Sequence, residues 1–251
     1  MKFHVIIPAR FQSSRLPGKP LAKIGERTMI ELVCQRAVES GAQSVTVATD
    51  HQEIKNCVDA AGFKAVMTSS EHSSGSDRIY EACNILDLSD DDVVVNVQGD
   101  EPFIPSKNIL QVATLIKKHK TNMATLCCPI IHPDEADNPN AVKVIFDKKF
   151  KAIYFSRSTI PFTRSDSVKS KFSLGNHFRH IGIYAYTKSF LREFVSWPES
   201  QLEKLEKLEQ LRTIENGESI YLDVLKNAPP AGIDTQEDLK KANLYYQMQN
   251  K

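Results

Sequence analysis

The feature that most constrains this chain is an alternation repeated through its first hundred or so residues. A short apolar run rich in β-branched residues gives way to a polar segment, then to apolar residues at helical spacing. Phe3 to Pro8, Ser44 to Ala48, Ala65 to Thr68 and Asp92 to Val97 have the length and composition of buried strands. Met29 to Ser40, His51 to Ala61 and Ser76 to Leu86 are the predicted helices between them, the first two closing at Gly41 and Gly62. This order predicts βαβ units and a mostly parallel sheet, in which ligands gather beyond the carboxyl ends of the strands. The polar segments Ala9 to Lys19, Thr49-Asp50 and Gln98 to Pro102 all fall at such ends.

The middle of the chain follows a different rule. Met123 to Ile131, Val142 to Phe146, Ala152 to Ser156 and His180 to Tyr186 read as strands joined by turn-rich or basic segments rather than by long helices. Thr163 to Asn176 is polar and is expected to be a mobile loop. Ser189 to Trp197 and Glu203 to Glu215 are predicted helices, the second with dense Glu/Lys pairs that suit a solvated face. Ile220 to Leu225 is a late strand, and Thr235 is placed to cap a closing helix that runs to Gln249.

A length of 251 residues suits one large α/β domain, alone or with a smaller appendage. With 32 Lys and Arg against 31 Asp and Glu, net charge is +1, so no global field favours nucleic acid or an anionic membrane. Anion binding must then come from local clusters. The five cysteines show no C-x-x-C spacing, and their odd number argues for reduced thiols and a cytoplasmic location rather than a disulfide framework. No apolar stretch reaches the length of a signal-peptide core or a membrane span.

Four constellations carry chemistry. Pro8-Ala9-Arg10 and Arg15-Leu16-Pro17-Gly18-Lys19 put three cations on the loop leaving the first strand, as a triphosphate requires when its α-phosphorus is attacked. A solvated basic turn is the plain alternative. G-x-x-x-x-G-K-[ST] is absent, as is G-x-G-x-x-G after the first strand, which disfavours Walker-type binding and a dehydrogenase. Gln98-Gly99-Asp100-Glu101-Pro102 offers a carboxylate for Mg²⁺ and a glycine for close backbone approach, or else an acidic turn. His72 to Arg78 opens a helix with small residues, a place for backbone contacts to a ligand or for ordinary capping by Ser74 or Ser76. Arg78 in the first turn opposes the helix dipole and points to an anionic partner. The late set, Ser156-Arg157, His180, Glu209-Gln210-Leu211-Arg212 and Asp234-Thr235, is weak residue by residue; Asp234 is either a second metal carboxylate or a capping residue.

Taken together, IIPARFQSSRLPGKPL (6–21), VNVQGDEP (95–102), YFSRSTIP (154–161), RHIGIY (179–184), LEQLR (208–212) and GIDT (232–235) resemble the CMP-Kdo synthetases, in family order over nearly the whole chain. The resemblance implies a nucleotide-diphospho-sugar transferase fold with a Rossmann-like, mostly parallel sheet. A smaller β-rich region for dimerisation and sugar binding, roughly 124–212, would be embedded in a single cytidylyltransferase domain of 1–251. It implies a homodimer using Mg²⁺ to transfer CMP from CTP to the anomeric hydroxyl of the acidic eight-carbon sugar Kdo, for lipopolysaccharide biosynthesis.

Carried over by motif, Pro8, Ala9, Arg10, Arg15, Lys19, Ser74, Gly75, Gln98 and Gly99 fall at CTP-binding positions. Asp100 and Asp234 fall at metal positions, and Arg78, Arg157, His180, Glu209 and Gln210 around the sugar. Arg10, Arg15, Lys19 and Asp100 would carry catalysis. HSSGSDR (72–78) stands where HQSGTER is common, and Phe162 where Trp is usual. These departures keep an 8-amino analogue of Kdo in view as the acceptor, and a CMP-sialic acid synthetase is a second reading from the same chemical class. A non-catalytic nucleotide-binding regulator is disfavoured by the presence of both carboxylates.

Overall fold

A computed structural model describes residues 1–13, 15–164 and 172–249. The chain forms two compact units, one built from residues 1–111 and 229–251 and the other from 112–228. The segment 124–212 singled out in the sequence lies inside the second. Much of the expected loop between Thr163 and Asn176 (165–171) falls outside the described residues.

The first unit opens with β1 (His4–Ala9), followed by a 3₁₀ turn at Lys19–Leu21 and a minimal hairpin of β2 (Lys23–Ile24) and β3 (Arg27–Thr28). Then come α1 (Met29–Glu39), β4 (Ser44–Thr49), α2 (Gln52–Ala60), β5 (Lys64–Met67), α3 (Gly75–Ile85) and β6 (Val93–Asn96). The helix α4 (Ser106–His119) follows and carries the chain out of this unit, whose first segment ends at residue 111. The four long strands lie in the order β6-β1-β4-β5, every neighbouring pair parallel. Val5, Ile6, Ile7, Val47, Ala48, Val94 and Val95 are fully buried, as a sheet covered on both faces demands.

The helices start where their side chains can hold the free N–H groups. Thr28 and Glu31 form a reciprocal capping box on α1, and Ser74 and Asp77 form another on α3. The C-terminal helix α9 (Gln236–Gln249, named last in chain order) returns to this unit, with the Thr235 hydroxyl accepting from the Asp238 N–H at 3.2 Å. A small core of Leu16, Ile24, Met29, Leu32, Ile233 and Ala242 ties the first loop to the C-terminal segment.

The second unit contains β7 (Met123–Pro129), α5 (Pro133–Asp137), β8 (Lys143–Phe146), β9 (Ala152–Ser156), β10 (Phe178–Thr187), α6 (Lys188–Ser196), α7 (Gln201–Glu206), α8 (Leu211–Glu215) and β11 (Ile220–Val224). Its strands run β11-β7-β10-β8-β9, antiparallel except for β11 with β7. The helix expected over 203–215 is two helices. Lys207 adopts the left-handed conformation at φ 53° and ends α7, so Leu208 to Gln210 form a corner instead of a helical face. The corner is held by a buried ion pair in which Arg212 donates to both carboxylate oxygens of Glu203, at 2.8 and 2.6 Å.

None of the five cysteines is in a disulfide, and only Cys57 has appreciable exposure. Burial pushes the Cys34 thiol up to about 12, far from a reactive thiolate. Among the described residues no helix is long and apolar enough to cross a membrane.

Candidate active site

The carboxyl ends of β1 and β6 open onto a cleft of about 310 Å³ lined by Pro8, Ala9, Arg10, Gln12, Ser13, Arg15, Lys19, Pro20, Gln98, Gly99, Asp100 and Asp234. Strand register explains half of this lining. Ile6 pairs with Asn96, so the segments that follow, Pro8 to Arg10 and Gln98 to Asp100, leave the sheet side by side. Gly99 is required by this closeness, since a Cβ there would stand 3.0 Å from the Pro8 carbonyl oxygen.

Buried neighbours place the charged groups. Leu16 is 7% exposed and Ile233 is 2% exposed, both in the same small core, which turns the adjoining Arg15 and Asp234 toward each other. The Ile233 N–H donates to the Asp100 carbonyl at 2.9 Å, and this bond sets the two acidic residues side by side. Gly232 lies alongside, its Cβ position 3.5 Å from the Asp100 carbonyl oxygen, an ordinary van der Waals distance.

The result is a compact charge cluster. The Lys19 ammonium donates to Asp100 Oδ2 at 2.6 Å and to Asp234 Oδ1 at 3.1 Å, while Arg15 reaches Asp234 Oδ2 at 3.2 Å. Burial works against the charge on Lys19, but the two carboxylates outweigh it and hold its pKa above the ordinary lysine value. Lys19 is therefore a fixed cation at neutral pH.

Asp100 and Asp234 already share one cation, the Lys19 ammonium. Two hard oxygen donors facing one point, with no third acidic, histidine or cysteine ligand grouped with them among the described residues, fit an ion that fills its remaining positions with water and phosphate oxygens.

The other expected nucleotide residues flank this cleft. Gly75 begins α3 with its Cβ position 3.8 Å from the Pro8 ring, and Arg10 donates to the Ser73 carbonyl at 3.2 Å. The Ser74 side chain is committed to the capping box, so any ligand contact there falls to the backbone of the first turn. Gln12 and Ser13 line the cleft and were not singled out in the sequence; only their place between Arg10 and Arg15 signalled them.

The expected sugar residues divide between the units. Arg78 belongs to the first and is corrected here. It is fully buried, donating to Asp50 Oδ2 at 2.7 Å and Thr68 Oγ1 at 2.6 Å. Its anionic partner is this aspartate at the end of β4, and the guanidinium presents no surface to a sugar.

The remaining four lie in the second unit. His180 shares a hydrogen bond of 2.9 Å between its Nε2 and the Thr125 hydroxyl, and packs edge-on to Phe155 with ring centroids 5.0 Å apart. Burial pushes its pKa down to about 3, so the imidazole is neutral at working pH and offers a hydrogen bond rather than a charge. Tyr184 stands 5.3 Å from it between ring centroids, and burial, Tyr186 and the Glu209 carboxylate together push the Tyr184 hydroxyl well up. His180, Tyr184 and Glu209 thus share one neighbourhood, to which Tyr184 is an addition. Gln210 is 5% exposed at the start of α8. Arg157 is occupied by main-chain carbonyls, donating to Glu206 at 2.7 Å, Pro139 at 3.0 Å and Lys207 at 3.3 Å.

A parallel sheet whose neighbouring strands β1 and β6 lead into a basic loop and a carboxylate, with a second carboxylate from the segment before α9, is the arrangement of a nucleotidyltransferase. The cytidylyltransferase family model matches residues 4–220, and the chain belongs to that family. Its relatives narrow the class. The 3-deoxy-manno-octulosonate cytidylyltransferase of Pectobacterium carotovorum is 52% identical over 242 residues, 96% of this chain and 97% of that protein. The enzyme of the same name from Yersinia enterocolitica is 50% identical over 242 residues, again 96% and 97% of the two chains. The solved structure of CMP:2-keto-3-deoxy-manno-octonic acid synthetase complexed with CTP superposes with a TM-score of 0.90 at 37% identity, covering 99% of this chain and 100% of that one. Within the cytidylyltransferases, the chain is a member of the 3-deoxy-manno-octulosonate group.

Proposed function

We propose that the protein transfers CMP from CTP to the anomeric hydroxyl of Kdo, releasing pyrophosphate. The observation that carries this is the convergence of Lys19 and Arg15 on Asp100 and Asp234 at the carboxyl edge of the parallel sheet. A cleft that holds fixed cations beside paired carboxylates suits a substrate carrying both a triphosphate and a divalent ion. The relatives are named for Kdo itself, which favours it over an 8-amino analogue or a sialic acid as acceptor.

In this reading the anomeric oxygen attacks the α-phosphorus, and the bond to the pyrophosphate oxygen breaks. Arg15, 64% exposed at its side chain, swings from Asp234 to the phosphates without disturbing the core, while Lys19 stays seated and offsets charge on the leaving group. Gly99 and the Pro8–Ala9 backbone receive the nucleoside. Asp100 and Asp234 would hold Mg²⁺, which when bound would supply charge neutralisation for the polyphosphate and a lowered pKa for the attacking hydroxyl. Positioning and electrostatics supply the rate, and no covalent intermediate is needed.

The exposed apolar residues of the second unit, among them Ile131 at 63%, Ile153 at 54%, Phe162 at 75% and Leu174 at 70%, support a homodimer formed through that unit. Free buried thiols support a reducing, cytoplasmic setting. The place of the product in lipopolysaccharide biosynthesis rests on family resemblance alone.

Pyrophosphate release from CTP, measured with Kdo, 8-amino-Kdo and sialic acid in parallel, tests the assignment. Turnover with Kdo is expected to exceed the other two. A preference for either alternative overturns the acceptor, and no release with any of them overturns the reaction.

A further inference from the structure

Lys143 opens β8 and is completely buried, although a strand position between two others would hold an aliphatic residue at far lower cost. Its strand partners are Ser156 on β9 and Arg179 on β10, the residues that directly precede Arg157 and His180 in the chain. The ammonium is spent on main-chain carbonyls, donating to Asn138 at 2.9 Å and Arg157 at 2.5 Å. Burial lowers its pKa, the negative charges of Asp137 and Glu206 act to raise it, and Arg157 adds to the lowering.

Those two carbonyls begin a continuous frame. The Arg157 guanidinium spans the Pro139 carbonyl and the carbonyls of Glu206 and Lys207 at the end of α7. The Glu206 carboxylate answers by accepting from the Ser156 hydroxyl at 2.6 Å and the Arg157 N–H at 2.9 Å. Immediately beyond, left-handed Lys207 turns the chain into the corner that bears Glu209 and Gln210. Three segments distant in sequence are thereby clamped, and the buried ammonium is the point where two of them meet.

We propose that Lys143 is a positioning residue for the acceptor sugar, fixing the 138–139 turn and Arg157 and, through Arg157, the corner carrying Glu209 and Gln210. The proposal rests on the reading that Glu209 and Gln210 face the sugar acid. Lys143 has no exposed surface to offer a substrate, and it belongs to the second unit, whereas the nucleotide cleft lies in the first. Its removal therefore loosens one substrate and not the other.

The test is steady-state turnover and thermal unfolding of the full chain with Lys143→Met, Lys143→Gln and Glu206→Gln. Lys143→Met is expected to raise the KM for Kdo about tenfold or more while that for CTP stays within about twofold, the cost of losing a hydrogen-bonded anchor that orients a contact. Lys143→Gln keeps amide donors for the carbonyls and is expected to recover part of that loss, and Glu206→Gln to raise the KM for Kdo alone. Amide exchange at 206–211 is expected to quicken in Lys143→Met. A lower Tm with both KM values unchanged makes Lys143 merely structural and overturns the proposal, as does a parallel rise in both. Should Lys143→Met fail to fold, unchanged KM values for Kdo in the other two variants overturn it equally. Wild-type protein that accepts no sugar acid removes the functional reading itself, an outcome distinct from active wild type with indifferent variants.

Discussion

His180 allows a quantitative test of the second unit's interior. The folded protein holds its imidazole near pKa 3 through burial, against 6.5 in the unfolded chain. As pH falls below 6.5 the unfolded state takes up a proton that the folded state refuses. The stabilisation is thus complete above pH 6.5 and declines as pH falls toward 3, by about 1.4 kcal/mol per pH unit for one such group. Between pH 7.5 and 5 this residue alone is expected to cost the fold about 2 kcal/mol. The perturbation is His180→Asn, which cannot titrate yet keeps a donor for Thr125. Urea unfolding of both proteins at pH values from 7.5 to 5 gives two stability profiles, and subtracting them cancels the contributions of His4, His119 and every other common group. The wild-type curve should fall more steeply, closing the gap between the proteins by about 2 kcal/mol at pH 5. Parallel curves would refute the reasoning, because they would mean that the folded imidazole titrates as it does in water. The same neutrality predicts that no limb of the pH–rate profile near 6.5 belongs to His180.

Replacing Arg15 by Ala should raise the KM for CTP about tenfold and leave stability within about 0.5 kcal/mol, because the side chain is largely exposed; normal CTP kinetics would remove the loop from the site. Asp100→Asn and Asp234→Asn should each lower turnover about a hundredfold or more and raise the Mg²⁺ requirement, and wild-type activity at low Mg²⁺ in either would remove that residue from the metal site. Gly99→Ala forces a Cβ to within 3.0 Å of the Pro8 carbonyl oxygen and is expected to weaken CTP binding at a stability cost of about 1–3 kcal/mol, read by calorimetry. Glu203→Ala strands the buried Arg212 guanidinium, 9% exposed, and should destabilise by about 3–5 kcal/mol in urea unfolding with little change in CTP binding.

The parallel sheet was legible because its strands are covered on both faces. Their sequences are therefore mainly apolar and β-branched, and runs of polar residues follow the carboxyl ends of β1 and β6, where the cleft begins. The corner at 207–210 was not legible: the Glu/Lys spacing over 203–215 satisfies a continuous helix, and a left-handed lysine leaves no mark comparable to a glycine. Asp234 could be named as a candidate carboxylate, but its place beside Asp100 depends on the Ile233 N–H and on a core shared with Leu16, pairings that no local pattern encodes. Arg78 misled for a related reason. Its position against the helix dipole did announce an anion, yet that anion is Asp50, supplied 28 residues earlier by the neighbouring strand. Lys143 carried no signal at all, since a lysine at the head of a strand ordinarily faces solvent.

The unit that holds the nucleotide cleft is assembled from both ends of the described chain, residues 1–111 and 229–251, with 112–228 between them. During synthesis, then, the basic loop and Asp100 exist long before Asp234 does. A chain stopped short of residue 233 has one carboxylate facing Lys19 and lacks the N–H that the Asp100 carbonyl accepts. The second carboxylate of the cluster arrives only after the intervening unit has been made. A closed Lys19–Asp100–Asp234 cluster thus reports that synthesis has passed through every element that precedes α9.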